Sequence, residues 1–251
     1  MQAAFAMRVL KESGNHLRNK ARQNLIIVFL CSMVFALIFL SSHPIFPLYI
    51  DVGRYEGVRA LSMVFPMILG LQFFRQYRGY KNGLHGERQL TGLLGSALDN
   101  QYALLNDVDF RDGYGNIDHV VLGPTGVFAI ETKNQRGMIE CNGDVWNGVI
   151  GKNPGKQARN NAKRVYNAIP SSEVFESGKP WVNAVVVFTH RYANLDIHHK
   201  PNNVEILKID GLVKHLTEGP RRLSSQEIEL IGKEILKKVR VSRREAQFFG
   251  Q

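Results

Sequence analysis

The chain has 251 residues, with 32 Lys and Arg against 22 Asp and Glu and a formal net charge of +10. That length allows one or two domains, and the basic excess favours nucleic acid or an anionic membrane surface as partner while specifying neither. The two cysteines, Cys31 in an apolar run and Cys141 in a polar one, indicate neither a disulfide framework nor a zinc site.

Residues 1–24 are polar and basic, carrying Arg8, Lys11, Arg18, Lys20 and Arg22 against Glu12. Leu25 to Leu40 then runs without a charge, near the short end of what spans a bilayer when Ser41 and Ser42 are added. A signal peptide competes with this reading, but its apolar region is normally shorter and is followed by a cleavage site rather than by a second apolar run. That second run, Gly57 to Phe74, contains Pro66 and Gly70, both tolerated in membrane helices, and Arg59, close enough to one end to snorkel. The two runs predict a transmembrane helical hairpin over residues 25–74; a buried hairpin in a larger soluble core is the alternative. The connecting loop holds Asp51, Arg54 and Glu56, whereas the outer flanks hold the N-terminal cluster and Arg75, Arg78 and Lys81. The positive-inside rule then puts both ends, and everything after residue 80, on the cytoplasmic side of the inner (cytoplasmic) membrane.

From residue 83 the composition becomes globular. Gly86 to Leu98 sets Leu90, Leu93, Leu94, Ala97 and Leu98 at helical spacing, and Glu87 falls on that apolar stripe. It either favours the helix dipole or, if the helix packs on a sheet, faces a site there. Tyr102 to Val108 predicts a strand, and Arg111 to Gly115 a turn. Asn116 to Leu122 and Gly126 to Thr132 predict two strands joined by Gly123-Pro124-Thr125-Gly126. Alternation puts Asp118 on a face with Val120 and Leu122, and Glu131 with Val127, Ala129 and Lys133. Glu131 and Lys133 stand about 7 Å apart along their strand, and Asp118 joins them if the register brings it opposite. Two carboxylates on adjacent strands make a hard oxygen site for a divalent cation such as Mg²⁺, and a lysine beside it can orient water or neutralise developing phosphate charge. The spacing alone equally allows a turn-capping Asp118 and an ordinary surface pair of Glu131 and Lys133.

Beyond Lys133, Gly137, Gly143 and Trp146 predict a short extra hairpin, with Trp146 in a packing role. Gly155-Lys156 lacks the remaining residues of a phosphate loop, since Ile150 and Gln157 stand where Gly and Ser or Thr are required. Lys156 to Ile169 predicts an amphipathic helix with Ala158, Ala162, Val165 and Ile169 inward and Gln157, Asn161 and Arg164 on another face. Lys152, Lys156, Arg159, Lys163 and Arg164 make the region one-signed, which suits either phosphate contacts or a solvated face. Trp181 to Thr189 predicts a strand buried on both faces, followed by loop histidines His190, His198 and His199. A strand at Val204 to Leu207 precedes helices at Asp210 to Thr217 and Ser224 to Arg240, the latter opened by a capping box, and a basic tail from Lys233 to Arg244.

Taken together, Gly86-Glu87, Leu105 to Val108, Gly115 to Val121, Gly123 to Phe128, Ile130 to Asn134, Asn153-Pro154 and Gln157-Ala158 resemble the NERD (nuclease-related) domain over roughly residues 83–190. The resemblance implies an α/β, PD-(D/E)XK restriction-endonuclease-like fold, a mixed sheet flanked by helices, here preceded by the two-helix transmembrane hairpin. Residues 191–251 would complete that domain and supply the tail. Asp118 resembles the motif aspartate, Glu131-Thr132-Lys133 the E-x-K tripeptide, Glu87 the accessory acid and Gln157 the glutamine after the sheet. The resemblance implies that Asp118 and Glu131 hold Mg²⁺ or Mn²⁺ and Lys133 activates water; joined to the hairpin, about which the domain pattern says nothing, it predicts a membrane-anchored nuclease acting on DNA. A catalytically silent, membrane-tethered module binding nucleic acid or protein is the alternative, because fold and motif do not by themselves establish turnover.

Overall fold

The computed structural model describes residues 6–12, 16–47, 49–175 and 178–239. The expected tail beyond Val239 lies outside the described residues. The chain divides into two compact units, one spanning Asn15–Leu84 and the other combining the residues before Asn15 with His85 onward.

The first unit contains α1, His16–Ser41, and most of α2, Glu56–Ala97. Both are long and apolar enough to cross a membrane. At 1.5 Å per residue, α1 measures about 39 Å, against a hydrocarbon core of about 30 Å. Their apolar side chains are largely uncovered, with Phe29 67% and Phe65 70% exposed. The helices meet where a Cβ on Gly70 would lie 3.4 Å from the Cβ of Cys31, and Asn24 Nδ2 donates to Gln76 Oε1 at 3.3 Å. At the connecting end Arg59 pairs with Glu56 and donates to the Ile50 carbonyl at 2.9 Å.

The expected helix over Gly86 to Leu98 is not a separate element. It is the last part of α2, because the polar stretch between Arg75 and His85 contains no proline, and Gly79 and Gly83 only weaken a helix without breaking it.

The second unit is built on a six-stranded mixed sheet. Its strands are β1 (Arg8–Lys11), β2 (Ala103–Val108), β3 (Ile117–Gly123), β4 (Gly126–Lys133), β7 (Val182–Phe188) and β9 (Val204–Lys208), in the order β1-β2-β3-β4-β7-β9. β2, β3 and β4 are antiparallel neighbours, while β1 on β2, β7 on β4 and β9 on β7 are parallel. Parallel pairs need crossovers, supplied by α3 (Pro154–Ala168) between β4 and β7. A smaller sheet joins β5 (Gly137–Asn142), β6 (Val145–Asn147) and β8 (Ala193–His199) in the order β6-β5-β8. The expected extra hairpin is therefore present, with Trp146 stacked on Phe188.

Alternation along the central strands separates two cores. On one face Val120, Leu122, Val127 and Ala129 pack with Ala158, Ala162 and Val165 of α3 and with Ile228, Ile231 and Ile235 of α5 (Ser225–Lys238). On the other, Val121, Phe128, Ile130, Val185 and Val187 pack with Leu90, Leu94 and Leu98 of α2 and with Leu212 and Leu216 of α4 (Ile209–Thr217). The helix caps follow the sequence. Asn153 Oδ1 accepts from the Lys156 N–H at 2.9 Å with Pro154 in the first turn, and Ser224 and Glu227 form the expected capping box.

Two expectations are corrected. Residues 8–11, assigned to a basic N-terminal segment, form the edge strand β1; Met7 is buried and Lys11 Nζ donates to the Asn106 and Asp107 carbonyls. His198 and His199 end strand β8 instead of lying in a loop, since β5 offers them a free edge. Beyond them β9 pairs with β7 within the central sheet, and α4 and α5 cover its opposite faces.

Two predictions follow from this packing. A Cβ on Gly86 would stand 2.7 Å from Thr189 Oγ1 and 2.8 Å from Asn134 Cβ. Gly86→Ala therefore costs about 1–3 kcal/mol, read as a lowered midpoint in thermal unfolding followed by circular dichroism. His119 is fully buried, its Nδ1 2.7 Å from Asn106 Oδ1, and burial pushes its pKa down to about 3 from 6.5. The unfolded chain then binds a proton below pH 6.5 that the folded chain refuses, so stability is lost as pH falls below that value. Relative to His119→Gln, the native chain should lose up to about 1.4 kcal/mol more per pH unit in that range, and parallel pH profiles would refute it.

Candidate active site

The antiparallel ladder between β3 and β4 ends at the pair His119 and Ile130, one step before Asp118 and Glu131. Both acids thus emerge where two neighbouring strands part, on the face shared with Val120, Leu122, Val127 and Ala129 and covered by α3. The expected sharing of a face holds. Asp118 Oδ2 accepts the Thr132 N–H at 2.7 Å, so one carboxylate is tied to the backbone of the strand that carries the other.

Glu131 is buried, 4% exposed, and both its oxygens are engaged. Oε1 accepts from Lys133 Nζ at 2.8 Å and Oε2 from Asn161 Nδ2 at 3.1 Å. Lys133 Nζ also donates to Gln157 Oε1 at 2.9 Å. Gln157 and Asn161 lie one turn apart on α3, so a single helix edge holds both the lysine and the glutamate. Gln157 was singled out from the sequence; Asn161 was placed on its face but given no role, and the i, i+4 spacing is the signal that assigns it one.

The charges are unbalanced. Burial first, then the charges of Glu131 and Glu87, hold the Asp118 carboxyl well above its ordinary range, against the opposing pull of the Thr132 N–H and Lys133. Glu87 is pushed up to about 7 by burial, then by Asp107 and Glu131. Glu87 reaches the acids from α2, whose leucines pack on the opposite face of the sheet, so it approaches past the ends of the strands. Asp107, missed in the sequence, sits on left-handed backbone (φ 53°) and receives the Asn116 amide. Nothing in the residue pattern foretold that conformation.

Three acids, one lysine and two amides are thus gathered at one end of the sheet. Among the described residues no group of three or more His, Cys, Asp or Glu side chains could by itself hold a metal ion. Asp118, its proton affinity raised, beside Glu131 fits a hard cation that takes one or two carboxylates and keeps water in its other positions, as Mg²⁺ does.

The expected basic surface divides. Lys152, Lys156 and Lys163 are exposed. Arg164 instead grips Asp112 through two bonds of 2.7 and 2.8 Å and donates to the Gly115 carbonyl, and Arg159 pairs with Asp144 at 2.7 Å. The region is therefore not free of acids, as its local sequence suggests, because Asp112 and Asp144 arrive from other segments. Arg164 braces the turn before β3.

A family model described as NERD, nuclease-related domain, matches residues 82–189. An uncharacterized protein of Bacillus anthracis is 38% identical over 60 residues, 23% of this chain and 28% of that protein, so the chain spans little more than a quarter of that relative. No solved structure matches the chain. Glu87, Asp118, the Glu131-Thr132-Lys133 tripeptide and Gln157 all lie inside the segment, residues 82–189, that matches the nuclease-related domain.

Proposed function

We propose that this protein is a membrane-anchored, Mg²⁺-dependent nuclease that hydrolyses phosphodiester bonds of DNA, with Mn²⁺ able to replace Mg²⁺, on a restriction-endonuclease-like fold. The observation that carries the reading is the cluster itself: Asp118, Glu131, Lys133 and Gln157 converge from β3, β4 and α3 on one side of the sheet. The match of residues 82–189 to the nuclease-related domain supports the reaction class.

In this reading Asp118 and Glu131 hold the metal. A carboxylate has about four lone-pair positions, so Glu131 can do so while still accepting from Asn161. When bound, the ion would polarise the scissile phosphate and ease deprotonation of water. Lys133 has three N–H bonds, of which two go to Glu131 and Gln157, leaving one to orient water or meet charge developing on the phosphate. Gln157 keeps the ammonium from swinging onto Glu131 alone. Glu87, with its proton affinity raised into the neutral range, is suited to hold or release a proton beside the two ligands. The exposed Lys152, Lys156 and Lys163 would contact the phosphate backbone without reading sequence.

Two helices long and apolar enough to span, with uncovered apolar faces, support the membrane anchor. The charge bias of the flanks supports cytoplasmic termini and an inner-membrane location, with the NERD domain on the cytoplasmic side.

Incubating the detergent-solubilised chain with Mg²⁺ and either plasmid or a single-stranded DNA circle tests the reading. Cutting should stop in EDTA and fall about a hundredfold or more in Asp118→Asn and in Lys133→Ala. Equal cutting by all three proteins, or cutting that persists in EDTA, would refute it. Salt-sensitive binding without any cutting by the native chain would favour the silent binding module.

A further inference from the structure

On the flank of α3 opposite Gln157 and Asn161, the helix and the start of β7 leave a cleft of about 220 Å³. Its walls are Ala162, Tyr166, Trp181 and Val182, and Arg159 and Lys163 stand at its mouth. Trp181 is 60% exposed although it immediately precedes a buried strand. Its ring touches that of Tyr166, with centroids 6.2 Å apart and planes tilted by 51°, and Lys179 lies 4.3 Å over the Tyr166 ring. Lys179 and Trp181 therefore both pack on Tyr166, and much of the indole is left open. Arg159 is held by Asp144, but Lys163 is exposed and makes no ion pair among the described residues.

A large apolar ring held rigid, uncovered and bordered by cations matches the way single strands are gripped, with bases stacked on aromatic faces and phosphates beside Lys or Arg. The cleft is smaller than the 300–1,000 Å³ of drug-sized sites and suits one ring system. The tilt between Trp181 and Tyr166 excludes a ring sandwiched between them, so the outer face of Trp181 is the platform and Tyr166 its support. Location agrees. Val182 pairs with Val127 and Phe188 with Lys133, which sets the cleft about 20 Å along the strands from the candidate active site. Lys156, next to Gln157, and Lys163, at the cleft, stand two turns apart along α3 and mark the two ends of the path between site and cleft.

We infer that Trp181, braced by Tyr166 and bordered by Lys163 and Lys179, is a stacking subsite for a base of a single-stranded nucleic acid. The subsite deepens the nuclease reading by naming the strand state of the substrate, yet it stands on its own contacts and is tested by binding. The full chain, carrying Trp146→Phe so that Trp181 is the remaining tryptophan, is titrated with oligothymidine in EDTA while indole fluorescence is followed. Base stacking quenches the emission. Trp181→Ala, followed by anisotropy of a labelled strand, weakens binding about tenfold, and Trp181→Phe restores most of it. A sugar-phosphate strand without bases neither quenches nor responds to Trp181→Ala. Undiminished affinity in Trp181→Ala, equal binding of the base-free strand, or equal binding of a duplex would each overturn the subsite. Trp181-dependent binding by a chain that never cuts in Mg²⁺ would support the subsite and overturn only the catalytic reading. Metal-dependent cutting with no contribution of Trp181 to binding would do the reverse.

Discussion

Two carboxylates and one ammonium share the point where β3 and β4 part, and the organisation of the domain follows from keeping them there. Glu131 is almost wholly buried, and an unpaired buried charge is costly enough that partners must be built around it. Lys133 comes from the same strand, two residues on, and Asn161 from the crossover helix. The helix is fixed in turn by an alanine-rich seam, Ala158 and Ala162, that lets it lie close to the sheet. Asp118 is drawn in by the Thr132 N–H, and burial, then the charges of Glu131 and Glu87, keep its proton affinity high against the pull of that bond. The arrangement is well ordered in its geometry and unbalanced in its charge.

Much of this was legible in the residues because a strand has a period of two. Once Asn116 to Leu122 and Gly126 to Thr132 are read as neighbours, Asp118 and Glu131 must share the faces of Val120 and Val127, and the structure keeps them so. The cap at Asn153 and the box at Ser224 and Glu227 were likewise local and visible. What failed depended on distant partners. β1 is four residues long and exists because β2 offers it an edge, and β8 because β5 does. Arg159 and Arg164 looked free among their sequence neighbours, and only folding brings Asp144 and Asp112 against them. The left-handed backbone at Asp107, inside β2, was not read from the pattern.

The helix α2 shows how one segment can serve two chemistries in succession. Its first turns carry uncovered apolar side chains such as Leu61 and Phe65, and its last turns bury Leu90, Leu94 and Leu98 against the sheet. Between them Gly86 permits contact with Thr189 and Asn134, and Glu87 follows directly, so the acid is presented where the helix comes closest to the strand ends. In the proposed function the same helix thus contributes both to the anchor and to the acidic end of the site.

The account turns on a cation joining the acids that the protein itself leaves unbalanced. Electron paramagnetic resonance of Mn²⁺ added to the full chain reads this directly, without any substrate. The native protein should bind the ion and release it to excess Mg²⁺, and Glu131→Gln and Asp118→Asn should each abolish or greatly weaken that binding. Binding of undiminished strength in both variants would contradict the account.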